Sequence, residues 1–250
     1  MKNFKRNIYR LSGSECDFTG FAEEIPDRSV TKSKKVLILS DPNSVKFEEY
    51  ITDVPLADIA TTIQNRETAL GMIPTVMLSY AAFEALTDVE IAEYAHIWDI
   101  GYDTLITANA GNKFLTYLSG GGAIFFLGEN SSFLERDSSL ISLITLAGGG
   151  AVATNGIALG MTQATVEPQF RVANQNPIVF FNAPGAFSNI GSANILSQSN
   201  GGTHGAVWKT GSLSNAPTGA IVSVLDINFL VIPNIQPDFI DNLSVTLNVA

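Results

Sequence analysis

Short apolar runs separated by longer polar, helix-compatible stretches alternate through the first 150 residues. Lys35-Val-Leu-Ile-Leu-Ser-Asp41 is entered from lysines and left at Asp-Pro-Asn, the pattern of a strand buried on both faces. Residues 44–71 read as helical, with Pro55 as a break or a first-turn residue. Thr75-Val-Met-Leu-Ser79 is a second strand. Thr87-Asp-Val-Glu90 has the spacing of a capping box, which predicts a helix running toward Trp98 and places His96 on it. Tyr102-Asp-Thr-Leu-Ile-Thr-Ala108 is the next expected strand, ending at Asn109. A helix through Lys113, Leu115 and Leu118 then stops at Gly120-Gly-Gly122. Ala123-Ile-Phe-Phe-Leu127 is a wholly apolar strand that turns at Gly128-Glu-Asn130, and a helix over about 132–147 ends at Gly148-Gly-Gly150. This alternation predicts an α/β domain: a mostly parallel sheet with helices on both faces.

Beyond residue 150 the texture changes. Residues 138–225 hold only three charged side chains, Glu167, Arg171 and Lys209, and Asn, Ser, Thr and Gly take the remaining polar positions. Extra β segments are expected near 152–154, 164–172, 178–181, 205–209 and 219–225. The Gly- and Asn-rich stretch 183–204 is expected to be a long surface loop. Asp238-Phe-Ile-Asp-Asn-Leu-Ser-Val-Thr-Leu247 closes the chain with helical spacing. Everything before residue 35 is polar and irregular, so the reading divides the chain into an extended N-terminal arm, 1–34, and one α/β domain, 35–250.

Charge sharpens this division. Residues 1–35 carry eight basic and five acidic side chains, a balance of +3, whereas residues 36–250 carry six and nineteen, a balance of −13. A basic arm on an acidic body suits docking onto a copy of the same chain or another acidic protein. It does not suit nucleic acid, whose phosphates the body would repel. No apolar run has the length of a membrane span, and no apolar stretch follows the basic Met1-Lys-Asn-Phe-Lys-Arg, so neither a span nor a secretory signal is expected. The single cysteine, Cys16, excludes an internal disulfide framework.

Several of these segments together resemble the class I glutamine amidotransferase-like superfamily, a flavodoxin-like α/β arrangement. They are Tyr102-Asp-Thr-Leu-Ile, the run from Phe114 through Gly120-Gly-Gly122 to Gly128-Glu-Asn130, Leu143-Ile-Thr-Leu-Ala-Gly148, and Gly219-Ala-Ile-Val-Ser-Val-Leu-Asp-Ile-Asn228 followed by Phe239-Ile-Asp-Asn242. The Gly-Glu-Asn turn and the late Asp-x-Asn are similar to uncharacterised domains of bacterial surface proteins. The resemblance implies a nucleophilic cysteine on the sharp turn after the fourth parallel strand and a histidine near the end of the last one. This chain has Gly128-Glu129-Asn130-Ser131 at the first place and Asp226-Ile-Asn228 at the second. The expectation is a degenerate, non-catalytic member.

Candidate chemistry gathers at the expected carboxyl ends of the strands, where open α/β sheets bind ligands. Asp41, Asn43, Glu129, Asn130, Asp226 and Asn228 form the candidate ligand-binding set, with Asn109 near them. Carboxylates with amide oxygens suit a hard cation such as Ca²⁺ or Mg²⁺, or a sugar-like ligand, and the same residue types also cap helices and end strands. No cofactor is otherwise implied, because neither glycine triplet links a strand to a helix as phosphate cradles do. Ser131 and Ser132 read as capping residues, or alternatively as hydrolase nucleophiles with His204 as base. The leading expectation is a structural or interaction protein, one subunit of a larger assembly such as a virion or surface array, located in a virion or a cytoplasmic assembly. Its partners would be copies of itself or other assembly subunits. The alternatives are a ligand- or cation-binding module and a serine-type hydrolase.

Overall fold

The computed structural model describes residues 33–40, 56–101, 103–156, 160–230 and 236–249. In chain order the first half comprises β1 (Lys35–Leu39), α1 (Leu56–Ala69), β2 (Ile73–Met77), α2 (Tyr80–Ala85), α3 (Asp88–Ala92), β3 (Tyr94–Asp99), α4 (Ala108–Ser119), β4 (Ala123–Gly128) and α5 (Leu134–Leu146). The second half comprises β5 (Val152–Thr154), β6 (Met161–Val166), β7 (Ile178–Asn182), β8 (Phe187–Ile190), β9 (Asn194–Ser199), β10 (Gly202–Trp208), β11 (Ala220–Leu225) and α6 (Pro237–Val249).

One sheet runs in the order β2-β1-β3-β4-β11-β10-β9-β6-β7. Its first five strands are mutually parallel, and from β11 onward every pairing is antiparallel. The period-two alternation of a strand sorts the side chains to two faces. Val36, Ile38, Phe125, Leu127 and Val222 pack with Ile59 and Ile63 of α1 and Phe239, Ile240 and Leu243 of α6. Leu37, Leu39, Ile124, Phe126 and Ile221 pack with Phe114 and Leu118 of α4 and Leu140, Leu143 and Ile144 of α5. Each such apolar side chain contributes roughly 1.5–3 kcal/mol by leaving water. The central strands are apolar throughout because both their faces are covered.

The expected third strand is displaced. Thr87 and Glu90 do form the capping box, but the helix they open, α3, stops at Ala92. Residues 94–99 then extend as β3, with His96, Ile97, Trp98 and Asp99 fully buried. The aromatic and β-branched content of Tyr-Ala-His-Ile-Trp-Asp favours a strand, and pairing on both sides with β1 and β4 outweighs the helical continuation. The run expected as a strand at 102–108 is instead a connection, as far as its described residues show, in which Thr107 accepts the Ala110 N–H as N-cap of α4. Asn109 therefore lies in a helical first turn and not at a strand end.

The expected loop at 183–204 is corrected as well. It contains β8 and β9, joined at Gly191, whose φ of 56° is the left-handed region that glycine adopts without a Cβ penalty. On β9 Leu196 and Ser197 are buried while Asn194 and Gln198 are exposed, so low apolar content there marks a half-exposed strand. The N-terminal arm lies outside the described residues except for Ser33 and Lys34.

Strand β7 ends the sheet, yet its outer edge is not bare. The Gln236 side-chain amide accepts from Phe180 N at 2.7 Å and donates back to Phe180 O. Two residues on, Asn182 N donates to Asp226 Oδ2 at 2.7 Å and Asn182 O accepts from Asn228 Nδ2 at 2.9 Å. Side chains from the segment after β11 thus take the place of a neighbouring strand. Edge groups left unpaired invite association, and here they are covered by the chain itself.

Candidate functional site

The parallel strands β3, β4 and β11 deliver their carboxyl ends side by side, and the polar residues just beyond them are almost wholly buried. Strand β4 ends at Gly128, where an added Cβ would meet Leu225 Cδ2 at 2.6 Å and Asp137 Oδ1 at 3.0 Å. A larger residue there would have to push aside the Leu225 side chain of β11 and crowd Asp137 of α5. Glu129 follows at 3% exposure. Its backbone N–H donates to Asp137 Oδ1 at 2.9 Å, and its Oε1 accepts the Ile227 N–H at 2.7 Å. Asn130 caps the 3₁₀ turn Ser131–Phe133 by accepting from Ser132 N at 3.0 Å, while its amide donates to Ala183 O at 2.8 Å.

At the end of β11, Asp226 is fully buried and accepts three N–H groups: Asn182 N, Asn228 N at 2.8 Å and Asn228 Nδ2 at 2.7 Å. Of the six candidate ligand residues, the fold therefore brings together Glu129, Asn130, Asp226 and Asn228. Asp41 and Asn43 lie outside the described residues.

The connection from β7 to β8 crosses this edge. Gly185 N donates to Leu225 O at 2.9 Å, and a Cβ on Gly185 would stand 2.3 Å from Glu129 O. Ala183 holds a φ of 56°, rare for a residue with a Cβ. Its carbonyl is the one that Asn130 holds, so the strained residue is fastened to the elbow.

Burial and mutual repulsion push the acids toward their neutral forms. Glu129 is raised well above the usual carboxylate range by burial and then by the Asp226 charge. Burial pushes Asp226 up to about 7 and Asp137 up to about 6, against the N–H groups each accepts.

A second polar group lies beneath the end of β3. Arg136 of α5, fully buried, donates through Nε to Leu127 O at 2.8 Å and through Nη1 to Tyr80 Oη at 2.8 Å, and its Nη2 stands 3.2 Å from Asp99 Oδ2. Tyr80 Oη donates in turn to Asp99 Oδ2 at 2.9 Å. Sequence reasoning missed Asp99, Asp137 and Arg136. Asp99 was legible in principle as the acid ending an apolar strand, whereas Arg136 and Asp137 sit inside an ordinary helical pattern with no local signal.

Ser131 and Ser132 are exposed. The two ring nitrogens of His204 are engaged elsewhere: Nδ1 lies 2.7 Å from Gly185 O and Nε2 lies 2.8 Å from Ser199 Oγ. His96, expected on a helix, bonds Glu67 Oε1 at 2.9 Å and Asn248 Oδ1 at 3.1 Å inside the core. Among the described residues, no three His, Cys, Asp or Glu side chains are placed to hold a metal ion together, and no helix is long and apolar enough to cross a membrane.

The sequence matches no protein-family model and no curated protein. Solved structures do match. The "mmIFT52 N-terminal domain" superposes with a TM-score of 0.62 at 12% identity, covering 86% of this chain and 98% of that one. A cytoplasmic protein from Salmonella typhimurium LT2 gives 0.56 at 14% identity, covering 85% and 99%. A "putative thua-like protein" from Bacteroides uniformis gives 0.55 at 12% identity, covering 89% and 94%. The chain shares their fold. ThuA-like proteins have the class I glutamine amidotransferase-like fold, so the resemblance read from the sequence holds at the level of fold. At these identities the likeness extends to the mixed α/β architecture with its mostly parallel central sheet, and to nothing finer.

Proposed function

We propose that this chain is a degenerate, non-catalytic member of the class I glutamine amidotransferase-like superfamily, with flavodoxin-like details, and that it serves as a structural or interaction subunit of a larger assembly such as a virion or surface array. The observation that supports the reading is the use of the polar groups at the strand ends. Glu129, Asn130, Asp226 and Asn228 are 0–8% exposed, and their hydrogen bonds fasten the chain's own segments 182–185 and 226–228 across the edge where a substrate would enter. Groups satisfied in this way stabilise the fold, and a ligand would have to displace them. The elbow Gly128-Glu129-Asn130 offers an acid and an amide in place of a thiol.

The assembly contact would be made by the basic segment 1–34 on the acidic surface of a neighbouring copy or another subunit, where opposite charge steers docking. The test is the mass of the full chain in solution, by light scattering, together with cross-linking from the lysines of residues 1–34. Oligomers whose cross-links join these lysines to acidic patches of a neighbour support the reading. A monomer in which residues 1–34 make no intermolecular cross-link overturns it.

A further inference from the structure

Outside the strand-end cluster, one side-chain pair has the chemistry of an activated nucleophile. His204 on β10 is 1% exposed, and its Nδ1 lies 2.7 Å from the carbonyl oxygen of Gly185. A carbonyl only accepts, so Nδ1 carries the proton and Nε2 presents a lone pair. The atom facing Nε2 is Ser199 Oγ, at 2.8 Å, whose hydroxyl must therefore donate to it. Gly201 N donates to the same Oγ at 3.0 Å, which fixes the hydroxyl rotamer with its proton toward the imidazole. Phe181 packs edge-on against the ring at 5.5 Å between centroids and holds its plane. Burial keeps the His204 pKa below its usual value, so the ring is neutral at pH 7 and its Nε2 lone pair is open to a proton. Nucleophile, base and an orienting acceptor are thus in line, and Ser199 itself is half-buried, not sealed.

We propose that Ser199 is a site of covalent acylation, with His204 as its general base and an activated ester or thioester as the acyl donor. Ser199 Oγ attacks the acyl carbonyl carbon as its proton passes to His204 Nε2. The bond from carbon to the leaving oxygen or sulfur then breaks, and Nε2 returns the proton to the departing alcohol or thiol. A serine ester and a free alcohol or thiol result, and no oxidant or reductant takes part. The inference does not depend on the assembly reading, since one acylation event is compatible with a protein that turns nothing over.

The test treats the full chain with p-nitrophenyl acetate and follows acetylated peptides by mass spectrometry. Ser131 and Ser132, exposed and facing no histidine nitrogen, are internal controls. Acetylation at Ser199 is expected about a hundredfold faster than at either control, and to fall to their level in His204→Asn. Its rate is expected to be flat between pH 7 and 9, because the base is already neutral, whereas an unassisted hydroxyl gains about tenfold per pH unit. Labelling of Ser199 no faster than of Ser131 and Ser132, or a rate that climbs steadily with pH, overturns the proposal. If His204→Asn does not fold, the ranking and pH profile of the unmodified chain decide alone.

Discussion

Asp226 accepts the backbone N–H of Asn182, 44 residues earlier in the chain, at 2.7 Å. This one bond ties the outer edge of β7 to the turn after β11, although β10, β9 and β6 separate the two strands in the sheet. The same carboxylate orients Asn228, whose amide holds the Asn182 carbonyl. Asp226→Ala would leave buried donors without acceptors, each at a cost of about 1–3 kcal/mol. We expect it to lower unfolding stability by about 2–4 kcal/mol in urea titrations at pH 5, where the buried carboxyl is neutral. Asp226→Asn keeps one acceptor oxygen and should lose less. Equal and negligible losses in both variants would contradict the stapling role.

The buried acids make stability depend on pH in a direction opposite to that of a salt-bridged carboxylate. Asp226 and Asp137 are raised to about 7 and about 6, and Glu129 is raised as well, all by burial first. In the unfolded chain each titrates near 4. The folded state therefore holds more protons between these values, and stability falls as pH rises from about 4 through about 7. For Asp226 the full shift corresponds to on the order of 4 kcal/mol. Urea midpoints are expected to be higher at pH 5 than at pH 8. The difference should shrink in Glu129→Gln and Asp226→Asn.

The sequence pattern carried the parallel half of the sheet where strands were continuous apolar runs, as at 35–39 and 123–128, because burial on both faces leaves an unmistakable run. It misplaced β3, since Thr87 and Glu90 form a genuine cap whose helix is only five residues long, and helix length is set by what packs behind it. It also missed β8 and β9, where Asn and Ser fill outward positions that charged residues usually take. At the strand ends the types and places of Glu129, Asn130, Asp226 and Asn228 were legible. Their use was not, because closure by 182–185 and the partnership with Asp137 are long-range pairings with no local signature.

Arg136 and Asp99 form a buried ion pair at 3.2 Å, with Tyr80 bridging them. Arg136→Leu would leave the Asp99 charge buried without its cation, which costs about 3–5 kcal/mol. It would also leave the buried Leu127 carbonyl, just before the elbow, without the Arg136 Nε donor. We expect a large loss of thermal stability, partly recovered in Arg136→Leu/Asp99→Asn, where no charge remains unpaired. A double variant as unstable as the single one would show that the loss comes from the Leu127 contact and not from charge.

Ala183 tests how tightly the closing segment is held. Its φ of 56° costs a residue with a Cβ about 1–2 kcal/mol relative to the right-handed region, and Asn130 holds it there by the carbonyl. Ala183→Gly removes that cost while adding chain entropy to the unfolded state, worth about 0.5–1 kcal/mol. The net expectation is a change near zero or a gain of about 0.5–1 kcal/mol. Ala183→Val places a branched side chain at the same φ and should lose at least about 1 kcal/mol. Asn130→Ala removes the tether itself and frees the strained turn to relax. In that background the difference between Gly and Val at position 183 should shrink, which a double-mutant cycle in urea would measure. An unchanged difference would mean that contacts other than the Asn130 amide hold the segment across the strand ends.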